Sequence, residues 1–133
     1  MDIWQVANVL GRLLFSALFL RSAYNHLTKV KMMAGYAQAV GHVPAPEAAV
    51  VVTGVMLLLG GLSFLLGFHP RIGAAILVAF LIPAALIMHA YWKIQDPMQR
   101  AGDAAQFWKD IALAGAALLI LADPRWPWPW AIG

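Results

Sequence analysis

The sequence contains no cysteine. Disulfides, thiolate catalysis, cysteine-ligated iron–sulfur clusters and cysteine-type zinc sites are therefore excluded together. Charge is also scarce. Only 11% of the 133 residues are Asp, Glu, Lys or Arg, whereas 62% are apolar. A soluble domain carries about 25% charged and about 45–50% apolar residues. No basic run marks a nucleic-acid footprint, and the net charge of +3 is spread along the chain. There is no phosphate-cradling glycine loop, no nucleophile–base motif and no zinc-protease helix. No two histidines stand one turn apart on a helix, so no metal or haem site is expected. His42 and His69 fall in loops on opposite sides, with His69 a turn residue before Pro70.

What is present is oil-soluble. About 20 helical residues cross about 30 Å of hydrocarbon. Four continuous apolar runs meet that length, at about residues 4–27, 47–68, 72–92 and 105–122. Barrel strands would alternate apolar and polar residues, and a bilayer admits only helices or closed barrels. The expected fold is therefore all-α: one four-helix transmembrane domain over residues 1–133. The first run has neither a basic leader nor a small-residue cleavage site and reads as a retained span.

The connections fit this plan. Gly67-Phe68-His69-Pro70-Arg71 is a tight turn that makes spans two and three antiparallel neighbours. Asp103 is the expected N-cap of span four, and Asp123-Pro124 its stop. Residues 29–40 place Val30, Met33, Ala37 and Val40 on one face, as a short amphipathic helix in the interface would; a plain loop is the alternative. Pro83 predicts a kink in span three. Gly54 with Gly61, Gly60 with Gly67, and Ala112 with Ala116 read as close-packing faces.

All six tryptophans fall at span ends, as an aromatic belt requires. Trp4, Trp126, Trp128 and Trp130 mark one face, and Trp92 and Trp108 the other. The tail from Trp126 to Trp130 should be extended and interfacial. Arg21, Lys29, Lys31, Lys93, Arg100 and Lys109 lie toward one side, against Arg12, Arg71 and Arg125 on the other. That bias places loops 28–46 and 93–104 in the cytoplasm and both termini outside.

Two arginines inside span one are the most informative residues. Arg12 and Arg21 are half a turn out of phase and about 13.5 Å apart along a helix, so they point in opposite directions. Either both snorkel to headgroups, or Arg12 is a structural intramembrane charge paired with Asp123 while Arg21 pairs with Asp110 or Glu47. On the side of the first and third loops, a polar cluster forms if the bundle closes. Its members are Arg21, Asn25, His26, Glu47, His89, Tyr91, Gln106 and Asp110. Such a cluster either caps the bundle or holds a quinone head group, whose oxygens need donors and whose reduction needs protons.

The sequence resembles the DoxX family of small four-helix bacterial membrane proteins over about residues 9–122. The resemblance is carried by Gly11-Arg12-Leu13-Leu14, Gly41-His42-Val43-Pro44-Ala45-Pro46, Leu58-Leu59-Gly60-Gly61-Leu62, and the run from Leu66-Gly67-Phe68-His69 to Ile72-Gly73-Ala74. His89-Ala90-Tyr91-Trp92 and Phe107-Trp108-Lys109-Asp110 complete it. The chain departs from many members at Leu57, where they carry an acid, at Asp110, where they carry asparagine, and at His26, where they carry lysine. The resemblance implies a bacterial inner-membrane subunit associated with quinone-linked or redox-stress oxidoreductases, with a quinone as cofactor and other redox subunits and the lipid bilayer as partners. The alternatives are a homo-oligomeric transporter or channel for a small solute, and a structural assembly or anchoring factor.

Overall fold

A computed structural model describes residues 1–125 and 127–133 of the chain. Five α-helices account for nearly all of it: α1 (Ile3–Thr28), α2 (Val30–Gly41), α3 (Pro46–Leu66), α4 (Pro70–Met88) and α5 (Pro97–Ala122). All but α2 are long and apolar enough to cross a membrane, and at most 33% of each spanning window is buried inside the protein. The remainder is a lipid-facing surface that includes Leu14, Leu59, Ile72 and Leu119. This is a multi-pass membrane fold.

Each start has a local cause. Asp2 caps α1 in a reciprocal box: its carboxylate accepts from Gln5 N at 2.8 Å, and Gln5 Oε1 accepts from Asp2 N at 3.1 Å. Proline opens α3, α4 and α5, where its missing N–H costs nothing. The fourth span begins earlier than the sequence suggested. Asp96, not Asp103, is its N-cap, accepting from Gln99 N at 2.9 Å, and Asp103 sits a full two turns inside the helix.

The third span runs Pro70–Lys93, and within it the α-helix stops at Met88, with His89 as its C-cap. Past that point the chain forms a 3-10 turn at Tyr91–Lys93 and lays its aromatic side chains on α5. Tyr91 and Trp92 meet Phe107 edge-on at 5.4 and 5.6 Å. Pro83 stays inside a continuous α4. The turn between α3 and α4 is the tight one expected. Gly67 adopts φ +67 at the C-cap, Phe68 N reaches back to Ser63 O, and the Ser63 hydroxyl donates to Phe68 O and His69 O.

The spanning helices neighbour one another in the order α1, α3, α4, α5, with α2 lying across α3 and α4. Among the described residues, no Cα atoms of α1 and α5 come within 8 Å of each other. The core runs through the middle: Phe19 and Ala23 from α1, Leu57 and Phe64 from α3, Leu77 and Leu81 from α4, Ala114 and Ala117 from α5.

Close approach rests on small residues, though not always the anticipated ones. A β-carbon on Gly54 or Gly61 would strike Leu27 or Leu20 of α1 at 2.8 Å, and one on Gly60 would strike Leu77 of α4 at 2.5 Å. One stripe of α3 thus receives α1 and another receives α4. On α5, however, Ala114 and Ala117 pack, while Ala112 is exposed and Gly115 faces open space. The alternating tryptophan tail is not extended. It folds back over the end of α3, with Ile132 N donating to Leu66 O at 3.1 Å and Trp128 edge-on to Phe64 at 5.8 Å. Trp4, Trp92, Trp108 and Trp130 remain exposed as a belt requires. Trp126 lies outside the described residues.

Arg12 holds this end together. It is buried, at 8% exposure, and Asp123 is not its partner. Its guanidinium donates to Phe64 O (3.2 Å), Leu65 O (2.8 Å) and Pro129 O, and its Cζ lies 5.9 Å over the Trp128 ring. Phe64 and Leu65 belong to the last turn of α3, which carries the negative end of the helix dipole, and Phe64 O also accepts from the Gly67 cap N–H at 3.2 Å. One cation therefore joins α1, α3 and the C-terminal tail. Asp123 is taken by its neighbour instead. Arg125 Nε and Nη2 donate to its carboxylate at 2.9 and 3.1 Å, which holds the Asp123 carboxyl below its usual range. Arg21, about two and a half turns further along α1 on the opposite face, is exposed and forms no ion pair among the described residues.

Arg12→Leu should lower stability by about 2–4 kcal/mol, because buried carbonyls left without donors cost about 1–3 kcal/mol each. Arg12→Lys should recover only part of this, since an ammonium cannot serve three divergent carbonyls at once. Thermal unfolding in detergent, with proteolysis of residues 123–133 as a local readout, checks both.

Candidate functional site: a cavity beside His89 and Asp110

The opposite end of the bundle is looser. A cavity of about 350 Å³ opens there between α1, α2, α3, α4 and the early turns of α5. Its walls are mostly apolar: Met33 and Ala37 from α2, Val50 and Met56 from α3, Phe80, Pro83, Ala84 and Ile87 from α4. The polar groups are few: Ser22 and His26 from α1, Tyr36 from α2, Thr53 from α3, His89 after α4, and Lys109 and Asp110 from α5. An apolar chamber with a few convergent polar groups is the usual form of a small-molecule site, and its size falls within the range of about 300–1,000 Å³.

His26 is set by α3. Its Nδ1 lies 3.0 Å from Thr53 Oγ1 and 3.3 Å from Val50 O. The carbonyl can only accept, and the Thr53 hydroxyl already donates to Ala49 O at 2.7 Å. Nδ1 therefore carries the hydrogen, and Nε2 of the neutral ring keeps its lone pair. The ring also stands edge-on to Phe80, with centroids 6.0 Å apart.

His89 lies between two carboxylates. Its Nδ1 is 3.7 Å from Asp103 Oδ1, and its Nε2 is 3.9 Å from Asp110 Oδ2. Asp103 and Asp110 are seven residues apart, two turns on one face of α5, and this spacing lets them flank one ring. Asp110 is buried, and Lys109 Nζ lies 3.8 Å from its other oxygen. The aromatic cluster of Tyr91, Trp92 and Phe107 pins the segment that carries His89 to α5. On α2, burial first and the Asp103 carboxylate second push the Tyr36 phenol above its usual value. Tyr36 is therefore a hydrogen donor at neutral pH.

Of the cluster read from sequence, the structure gathers His26, His89 and Asp110 around one cavity. Arg21 and Glu47 are exposed and outside its wall, Asn25 is half-buried but also not in its wall, and Tyr91 belongs to the aromatic cluster. Gln106 is exposed and accepts from Lys109 Nζ at 2.6 Å. Asp110 pairs with His89 and Lys109 rather than with Arg21. Sequence reasoning passed over Thr53, Tyr36 and Asp103. The seven-residue spacing of Asp103 and Asp110 was a visible signal, obscured by reading Asp103 as a cap.

The tyrosines give a check on this geometry. An ultraviolet titration should show Tyr36 ionising above the usual range near about pH 10. Tyr36→Phe should remove that late step, and Asp103→Asn should move it to lower pH.

The sequence profile of the DoxX family matches residues 7–90 of this chain. Among curated proteins, the chain is similar to Inner membrane protein YphA of Escherichia coli (strain K12), 32% identical over 82 residues. The alignment covers 58% of this chain and 54% of that protein, so the match spans about half the length of the relative. No solved structure matches. With more than half of its length inside the family's profile and four helices fit to cross a bilayer, this chain belongs to the DoxX family of integral membrane proteins.

Proposed function

We propose that the protein is a bacterial inner-membrane subunit of a redox complex, with the head group of a quinone held in the cavity beside His26, His89 and Asp110. The cavity carries this reading. A quinone supplies two-electron, two-proton redox chemistry, so its site needs an apolar sleeve for a flat ring together with groups that donate, accept and exchange protons. Met33, Val50, Phe80 and Ile87 offer the sleeve. The Tyr36 phenol and Lys109 offer donors, the free Nε2 of neutral His26 an acceptor, and the His89–Asp110 pair a place where protons are exchanged. The lipid-facing surroundings suit the long apolar tail of such a ligand. Association with a redox complex follows from the family's character. Placement in the inner membrane follows from the relative named for it.

The basic residues support loops 28–46 and 93–104 facing the cytoplasm. With Arg12 committed to backbone carbonyls, only Arg71 and Arg125 remain as basic side chains at the end that carries the termini. A solute-transport reading rests on the kink expected at Pro83 and on two charges along a path, Arg12 and Arg21. Of these charges, the first is a structural clamp and the second is exposed, so neither argues for one.

Two experiments test these statements. Protein in lipid nanodiscs is titrated with decylubiquinone, a short-tailed quinone, following tryptophan fluorescence. Saturable quenching is expected, and Ala84→Phe, which places a ring in the cavity, should weaken it at least about tenfold, or about 1.4 kcal/mol. Equal, unsaturable quenching in both proteins would reject the quinone site. For orientation, the absence of cysteine makes single labels clean. An impermeant maleimide applied to intact spheroplasts should react with Ile132→Cys and not with Met98→Cys, and the reverse pattern would invert the topology.

A further inference from the structure

We propose that Asp103, His89 and Asp110 form a proton relay that joins the aqueous face at the start of α5 to the cavity. The proposal deepens the quinone reading, and its purpose rests on that reading, because a quinone head takes up or gives off protons when its redox state changes.

The observations are geometric. Side-chain exposure falls along the three residues, from 23% at Asp103 and 20% at His89 to 10% at Asp110. The two ring nitrogens face different carboxylates, one nearer the surface and one in the cavity wall. A histidine built only to brace a bundle needs one partner and a fixed tautomer. Here Nδ1 is buried, has no hydrogen bond, and still lies 3.7 Å from a carboxylate oxygen. Separations of 3.7 and 3.9 Å are about one small side-chain adjustment, or one bridging water, from contact. Lys109 faces Asp110 Oδ1, which leaves Oδ2 to the ring.

The transfer balances as follows. A proton on the Asp103 carboxyl passes to the lone pair of His89 Nδ1, breaking an O–H bond and forming an N–H bond. The imidazolium then releases its Nε2 proton to Asp110 Oδ2. Asp103 regains a proton from water at the exposed face, and one positive charge has moved inward. The ring is left as the other tautomer, and rotation of the imidazole, which no other hydrogen bond restrains, resets it. The other titratable groups in the cavity wall are His26 from α1, Tyr36 from α2 and Lys109 from α5. None of these three stands between His89 and either carboxylate in the contacts described.

Protein labelled with [15N]histidine, in nanodiscs without quinone, provides the test. Long-range 1H–15N correlation spectra report the charge and tautomer of each ring, and His26→Gln, His42→Gln and His69→Gln, one at a time, assign the spectrum by subtraction. His89 should show both tautomers in its neutral form. Asp103→Asn should lower the share of rings protonated at Nδ1 and Asp110→Asn the share protonated at Nε2, so each moves the tautomer ratio, since each removes the carboxylate that faces that nitrogen. Asp96→Asn, which keeps the cap of α5 and stands apart from the ring, should leave the ratio unchanged. A neutral His89 locked in one tautomer, or a tautomer ratio unmoved by Asp103→Asn, overturns the relay, and neither result depends on whether Asp110→Asn folds. Because the spectra are recorded without quinone, failure of decylubiquinone to bind would reject the site and leave these spectra to decide the relay alone.

Discussion

The last carbonyls of α3 lie at the end of a helix, where few backbone donors remain for them, and Arg12 supplies donors to two of them. A chain surrounded by hydrocarbon gains little from setting leucine against leucine, because the lipid is equally apolar. It must instead satisfy every polar backbone group from within. At the end of α3 that requirement is met by one guanidinium, which also takes a carbonyl of the tail and lies under Trp128. The contact fixes α1 against α3 and closes the C-terminal segment over both.

The consequence is an asymmetric bundle. One end is tied by a cation, a folded tail and the tight Gly67–Pro70 turn. The other has no such clamp, and its polar side chains stand around a chamber instead of filling it. Along α3 the two glycine stripes bring α1 and α4 close, which holds the middle of the bundle dry and separates the two ends. The amphipathic α2 lies against α3 and α4 and contributes Tyr36 to the chamber, so the interfacial element forms part of the site wall.

Family membership and chamber chemistry meet in α5. The positions that hold Asp103, Lys109 and Asp110 lie outside the stretch matched by the family profile, although they complete a cavity whose other walls lie within it. The chemistry proposed for this protein therefore depends on its own α5 as well as on features common to the family.

Much of this was legible in one dimension. Hydrocarbon thickness sets a length, and four apolar runs of that length determine four helices. Proline and glycine punctuation determines their turns, and the half-turn offset of Arg12 and Arg21 determines that they part company. Partners were not legible, because pairing depends on where helices rotate and end. Arg12 meets the carbonyls at the end of α3, and Asp123 is held by its neighbour Arg125. Asp110 met His89 because α4 stops at Met88 and an aromatic cluster draws the following turn onto α5. Local chemistry decides element type and length, while the depth and facing of each polar side chain emerge only once the helices have packed.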